Sequence, residues 1–133
     1  NYVIARRQAK DSGCDEAILI DNAGYIAEAA TGNIFLVKNE MLVTPPTTSP
    51  ILPGITRDVV LKIAGKLKIA VCQKRISRKE LFNSDEVFLT NSLAEIVPVV
   101  RIDSRRIGRG RPGELTKLLH ISYQKEVIRS VVA

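Results

Sequence analysis

Three short segments carry residue types that can hold an anion or a charged ring. Pro53-Gly54-Ile55-Thr56-Arg57 is a turn that runs straight into a helical pattern. A helix N-terminus presents unbonded amides and a partial positive charge. A glycine there lets a ligand approach the backbone closely. A threonine hydroxyl in the first turn adds a donor. Together Gly54, Ile55 and Thr56 suit a phosphate. Asn91-Ser92 is a corner between two apolar runs and offers amides and a hydroxyl to an anion. Glu28 is a carboxylate followed by the small residues Ala29-Ala30-Thr31-Gly32, so it can sit in a site without crowding a ligand. Taken alone, each segment also fits a plainer role: a Pro-Gly turn capped by Thr56, an ordinary corner, and a solvated glutamate at a strand end.

Other chemistries find little support. His120 is the one histidine and lies among Leu118, Leu119 and Ile121, which suits a packed structural residue. No Ser-His-Asp arrangement or Walker loop is visible. Cys14 and Cys72 with one histidine cannot complete a four-ligand zinc site, so no metal is expected. Both read as reduced, packed thiols of a cytoplasmic protein. The net charge of +6 suggests an anionic ligand or solubility, and nucleic acid must be considered. The cluster Arg101, Arg105, Arg106, Arg109 and Arg111 has no aromatic nearby, since none falls between Phe88 and Tyr123. Stacking platforms are therefore missing, and the cluster reads as a solvated hairpin with no nucleic-acid partner. No apolar run approaches the roughly 18 residues that span a bilayer. Position 1 is Asn, which suggests a processed chain or a piece of something longer.

The elements that must position these residues follow from periodicity. With 133 residues, 45% of them hydrophobic, the chain can build the core of one domain. Residues 2–12 read as a helix closed by Gly13. Residues 16–21 read as a buried strand and 25–28 as its hairpin partner. Residues 33–38 and 41–44 pair across Asn39-Glu40. Residues 45–50 form a Pro-rich loop. A helix opens at Gly54-Ile55-Thr56, with Ile55, Val59, Val60, Ile63, Ala64 and Leu67 on its apolar face. Residues 69–72 read as a strand, and Ser77-Arg-Lys-Glu80 as a capping box opening a short helix. Strands at 86–90 and 96–100 flank the Asn91-Ser92 corner, and a basic Gly-rich hairpin or loop covers 101–112. A last helix starts near Gly113, with Leu115, Leu118, Leu119 and Ser122 on one face. The pattern is mixed α/β (α+β) in one domain over residues 1–133.

In their order, the segments resemble the pyridoxal-phosphate (PLP) enzymes of fold type IV. That class IV aminotransferase family includes branched-chain and D-amino-acid aminotransferases and aminodeoxychorismate lyases. The resemblance covers about residues 1–123. It is carried by Asn1-Tyr2, Asp15-Glu16-Ala17, Gly24-Tyr25-Ile26-Ala27-Glu28, Gly32-Asn33-Ile34-Phe35, Thr44-Pro45-Pro46 and Ile51-Leu52-Pro53-Gly54-Ile55-Thr56-Arg57-Asp58. It continues through Asp85-Glu86-Val87-Phe88-Leu89-Thr90, Ala94-Glu95-Ile96-Val97-Pro98-Val99 and Ile107-Gly108-Arg109-Gly110-Arg111-Pro112-Gly113.

The resemblance implies a strand-rich pseudo-barrel with flanking helices, of the D-amino-acid aminotransferase type, that binds pyridoxal 5'-phosphate. It implies that Glu28 faces the pyridine nitrogen and that Leu52 packs on the ring. Gly54, Ile55 and Thr56, with Asn91 and Ser92, would hold the phosphate. Tyr2 would bond the phenolic oxygen. The family's Schiff-base lysine lies three or four residues before the position of Asn1, and neither Lys10 nor Lys38 matches it. The smaller N-terminal domain of the family is also absent, so the chain alone is expected to be inactive. In the complete enzyme an amino group would pass from an amino acid to a 2-oxo acid, in a homodimer. Two departures stand out. Ala29 replaces a frequent glycine, and Thr90-Asn91-Ser92-Leu93 is more similar to the aminodeoxychorismate lyases. That lyase activity is one alternative, and a non-catalytic basic binding module is another.

Overall fold

The computed structural model describes residues 2–46 and 54–132; the side chains of Tyr2 and of residues 128–132 are not described. Residues 47–50 of the expected 45–50 loop, Asn1 and the expected ring-packing residue Leu52 lie outside the described residues.

Helix α1 (Tyr2–Asp11) ends where the sequence places its stop. Gly13 adopts a left-handed φ of 81°. Its amide and that of Cys14 donate back to Lys10 O (3.0 Å) and Ala9 O (2.8 Å). These two bonds satisfy carbonyls that the helix end leaves open. Strands β1 (Ile18–Ile20) and β2 (Ile26–Ala29) then pair as an antiparallel ribbon.

Five strands form the main sheet in the order β5-β4-β3-β6-β7. They are β3 (Asn33–Lys38), β4 (Met41–Thr44), β5 (Val71–Gln73), β6 (Glu86–Asn91) and β7 (Glu95–Val99). All ladders are antiparallel except β4–β5, which is parallel and is bridged by helix α2 (Ile55–Lys66). The β3–β4 turn places both Asn39 (φ 51°) and Glu40 (φ 63°) left-handed, the conformation a two-residue hairpin requires. Helix α3 (Arg78–Phe82) opens with the expected capping box between Ser77 and Glu80. The basic segment is a small hairpin, β8 (Arg101–Ile102) with β9 (Arg105–Arg106), and helix α4 (Glu114–Val132) follows.

Strand alternation splits the core in two. On one face Phe35, Val37, Leu42, Phe88 and Ile96 meet Val60, Ile63 and Ala64 of α2 and Leu119 and Tyr123 of α4. On the other, Ile34, Leu36, Val43, Val87 and Leu89 meet Ile26 and Ala29 of the β1–β2 ribbon, with Ile76, Leu81 and Ile107. Ribbon, α3 and the β8–β9 region thus cover that face, while α2 and α4 cover the opposite one. The result is the mixed α/β arrangement with flanking helices that the sequence implies.

Four expectations need correction. The buried face of α2 is Thr56, Arg57, Val60, Ile63 and Ala64, whereas Ile55 is 83% exposed and Leu67 also faces outward. The expected strand at 69–72 begins two residues later. Lys68 turns left-handed (φ 58°), and the amide of Ile69 donates to Ala64 O at 2.9 Å, so Ile69 belongs to the C-terminal cap of α2. On α4 the buried stripe runs through Thr116, Leu119 and Tyr123, and Leu118 is exposed. Cys14 is exposed rather than packed, because the α1 cap leaves it on the surface; Cys72 is half-buried.

Candidate functional site

At one end of the main sheet three chain segments converge on a cleft of about 280 Å³. Its walls are Glu28 to Asn33 on the β2–β3 connection, Gly54, Ile55 and Thr56 at the start of α2, and Thr90, Asn91 and Ser92 at the end of β6. The three segments singled out in the sequence therefore meet in one place. The described candidates Glu28, Gly54, Ile55, Thr56, Asn91 and Ser92 all line it. Leu52 lies outside the described residues, as does the side chain of Tyr2.

Glu28 is not a solvated strand end. It lies within β2, opposite Leu19 of β1, and is 3% exposed. Its burial in the cleft wall departs from the plainer, solvated role. Thr31, beside it on the rim, donates its hydroxyl to the carboxylate of Glu16, which fixes the β2–β3 turn.

The start of α2 is open toward a ligand. Gly54 is the N-cap residue, in extended conformation, and carries no side chain of its own to cap the helix. The first intrahelical bond runs from the Asp58 amide to Gly54 O at 3.1 Å. The amides before it are left to acceptors from outside the helix. Ile55 contributes its backbone here, since its side chain faces outward. Behind this turn Arg57 is fully buried, with Nη2 donating to Pro45 O (3.0 Å) and Gln73 Oε1 (3.1 Å). Burial pulls its pKa below the ordinary guanidinium value, and the charge of Asp58 opposes that shift. Arg57 ties the start of α2 to the exit of β4 and to β5. Its place in the core is not legible from helical spacing, because a charged residue reads as surface.

The β6–β7 turn divides its labour. Asn91 Oδ1 accepts from the amides of Leu93 (3.0 Å) and Ala94 (2.7 Å), which holds the corner closed. The side-chain carbonyl of Asn91 is thus a turn former, and the exposed Ser92 is the hydroxyl of this corner. Two further lining residues had no local signal. Asn33 begins β3 and Thr90 sits near the end of β6, and both are buried. Away from the cleft, His120 Nε2 lies 3.4 Å from Glu95 Oε1, a structural pairing between α4 and β7. Among the described residues no cluster of His, Cys, Asp or Glu could hold a metal. No helix among them is long and apolar enough to cross a membrane.

A buried carboxylate and the start of a helix thus line one small cleft. The family description "Amino-transferase class IV" matches residues 1–102. The chain belongs to the class IV aminotransferase family. It is 44% identical over 116 residues to the branched-chain-amino-acid aminotransferase of Escherichia coli (strain K12), covering 87% of this chain and 38% of that protein. Among solved structures it is similar to the Escherichia coli branched-chain amino acid aminotransferase, with a TM-score of 0.90 and 42% identity, over 92% of this chain and 41% of that one. It is equally similar in fold, at TM-score 0.90 and 39% identity, to a T.th. branched-chain amino acid aminotransferase complexed with N-(5'-phosphopyridoxyl)-L-glutamate, over 93% of this chain and 42% of that one. The chain spans about two fifths of the length of these relatives.

Proposed function

We propose that these 133 residues form the cofactor-binding portion of a branched-chain amino-acid aminotransferase, which moves an amino group from an amino acid to a 2-oxo acid. The observation that carries this is the convergence of Glu28, the α2 start and the Asn91-Ser92 corner on one cleft. The relatives supply the ligand class, since one of them holds a phosphopyridoxyl amino acid.

The residues fit pyridoxal phosphate. A helix start with a glycine at the N-cap seats a phosphate dianion. Gly54 lies so close to Asn33 that a Cβ would collide with its side chain. Thr56 and Ser92 add hydroxyls, and Glu28 lines the same cleft. When bound, the cofactor supplies an electron-withdrawing ring that stabilises negative charge at the amino-acid carbon. Glu28 holds a proton at the ring nitrogen, which a carboxylate favours and an amide would not. The small residues after Glu28 leave room for the ring. Leu52 against the ring and Tyr2 at its phenolic oxygen complete this reading. The residue that binds the cofactor covalently is expected outside these 133 residues, with the N-terminal domain. Homodimer formation and a cytoplasmic location are part of the same proposal.

The test uses the full-length polypeptide that carries this chain. Its absorbance spectrum is titrated with pyridoxal phosphate, and amino transfer from branched-chain amino acids to a 2-oxo acid is followed. Saturable binding with transfer is expected. Transfer confined to D-amino acids would move the protein within the family. Pyruvate release from aminodeoxychorismate without an added amino acceptor would replace the transferase reading by the lyase one.

A further inference from the structure

Two rungs on one face of the β3–β6 ladder differ sharply in chemistry. Phe35 stands opposite Phe88, and Asn33 opposite Thr90. Residues two apart on a strand face the same way, so both rungs lie on the helix-covered face. The aromatic rung is stacked, with centroids 5.0 Å apart and planes 7° from parallel. One step further the face turns polar while staying buried, with Asn33 4% and Thr90 1% exposed. Both residues line the cleft. The Asn33 side chain lies against Gly54, so this rung sits beneath the first turn of α2.

Thr90 is the unexplained member. Its Oγ1 is buried and has no hydrogen-bond partner among the described residues. A hydroxyl left in that condition carries its full desolvation cost. Valine would fill the same volume without it. A donor without a partner among the described residues, beneath a helix start whose first amides have no intrahelical acceptor, is poised for an anionic oxygen.

We propose that Thr90 is a binding residue of this cleft, its Oγ1 donating to an oxygen of the phosphate group seated at the N-terminus of α2. This rests on the reading of the cleft as a pyridoxal-phosphate site, and it names a hydroxyl donor that the sheet floor contributes beside Asn33. The α2 amides approach from the helix and Ser92 from the β6–β7 corner, so Thr90 adds a third direction of contact.

The experiment compares wild type, Thr90→Val and Thr90→Ser in the full-length polypeptide. Dissociation constants are measured for pyridoxal phosphate, for pyridoxal and for inorganic phosphate, and melting curves are recorded without ligand. A hydrogen bond to a charged oxygen corresponds to about tenfold to a hundredfold in affinity. Thr90→Val is expected to weaken pyridoxal phosphate and inorganic phosphate by that factor and to leave pyridoxal unchanged. Its ligand-free melting point should be equal or higher, because an unpartnered buried donor has been removed. Thr90→Ser should restore phosphate affinity. Wild-type phosphate affinity in Thr90→Val overturns the proposal, as does an equal loss for pyridoxal with a lower melting point. If wild type binds phosphate through Thr90 but takes no pyridoxal phosphate, the anion seat stands and the functional reading falls.

Discussion

A side chain at position 54 would overlap the Oδ1 of Asn33. The backbone of Gly54 is extended, at φ −104° and ψ 143°, which any residue can adopt. Its glycine is therefore required by proximity and not by conformation. Gly54→Ala must push α2 away from the start of β3 and widen the floor of the cleft. The expected outcome is at least about tenfold weaker binding of pyridoxal phosphate, with a loss of about 1–3 kcal/mol in stability from the overpacked contact. Absorbance titration and urea denaturation measure the two effects. Binding at wild-type strength would show that the helix start does not hold the ligand.

Gly65 provides the opposite case. It lies in the same helix, one residue before the end, with nothing within 4 Å of where a Cβ would stand. Gly65→Ala is expected to stabilise the protein by about 0.5–1 kcal/mol, through the reduced backbone freedom of the unfolded chain. A shift of the denaturation midpoint to higher urea, with cofactor affinity unchanged, is the expected reading. The pair separates a glycine kept by the site from one that the helix merely tolerates.

Glu28 separates binding from chemistry. Glu28→Gln keeps the shape of the side chain and removes its charge. In the proposed reading the cofactor still binds through its phosphate, and the ring loses the group that keeps its nitrogen protonated. Pyridoxal phosphate affinity should change by less than about tenfold, while kcat falls on the order of 10²-fold or more. An unchanged kcat would remove Glu28 from the mechanism.

Much of this was legible because the decisive features are local. The Asn39-Glu40 turn, the Ser77 capping box and the Gly13 stop each depend on a few adjacent residues. The three cleft segments could be named one by one for the same reason, and the family resemblance joined them. What escaped the sequence depends on contacts between distant residues. Ile55 reads as core by composition, yet the α2 face is set by which side meets Phe35 and Phe88, and that side carries Thr56 and Arg57. Thr90 reads as one more β-branched strand residue. Only the register opposite Asn33 places it beneath the helix start.

The capping of α4 is another such contact. Glu86, on β6, reaches the first turn of a helix that begins 28 residues later. Its Oε1 accepts from Thr116 N (2.8 Å) and Thr116 Oγ1 (2.7 Å), and its Oε2 from Leu115 N (3.3 Å). A carboxylate bonded to helix N-terminal amides also meets the favourable end of the helix dipole. Glu86→Ala is expected to cost about 1–3 kcal/mol, and Glu86→Gln less, because the amide oxygen can still accept. Urea denaturation of the two variants gives the ordering. Equal losses would assign the effect to charge alone.

The Lys74–Glu80 pair makes a pH prediction with two signs. The ammonium of Lys74 bonds the Glu80 carboxylate and, with the Ser77 amide, holds its pKa below the ordinary value. Asp21 is lowered in the same direction, chiefly by the Tyr25 amide and further by the Ala23 amide and Arg75. A lowered acid stabilises the fold above its unfolded pKa, about 4, and that stability is lost as pH falls through the folded value. The pKa of Lys74 is raised, first by its bond to Glu80. Its contribution is present below the unfolded pKa of about 10.4 and is lost as pH rises through the folded value. Stability should therefore decline at both ends of the range, with Glu80 acting in both declines. Glu80→Gln should flatten the acid slope below about pH 4 and the alkaline slope above about pH 10 together. Asp21→Asn should flatten the acid slope alone. Denaturation midpoints measured from about pH 3 to about pH 11 at low salt test both, because exposed pairs are screened as ionic strength rises. An alkaline slope that survives Glu80→Gln would assign it to groups other than Lys74.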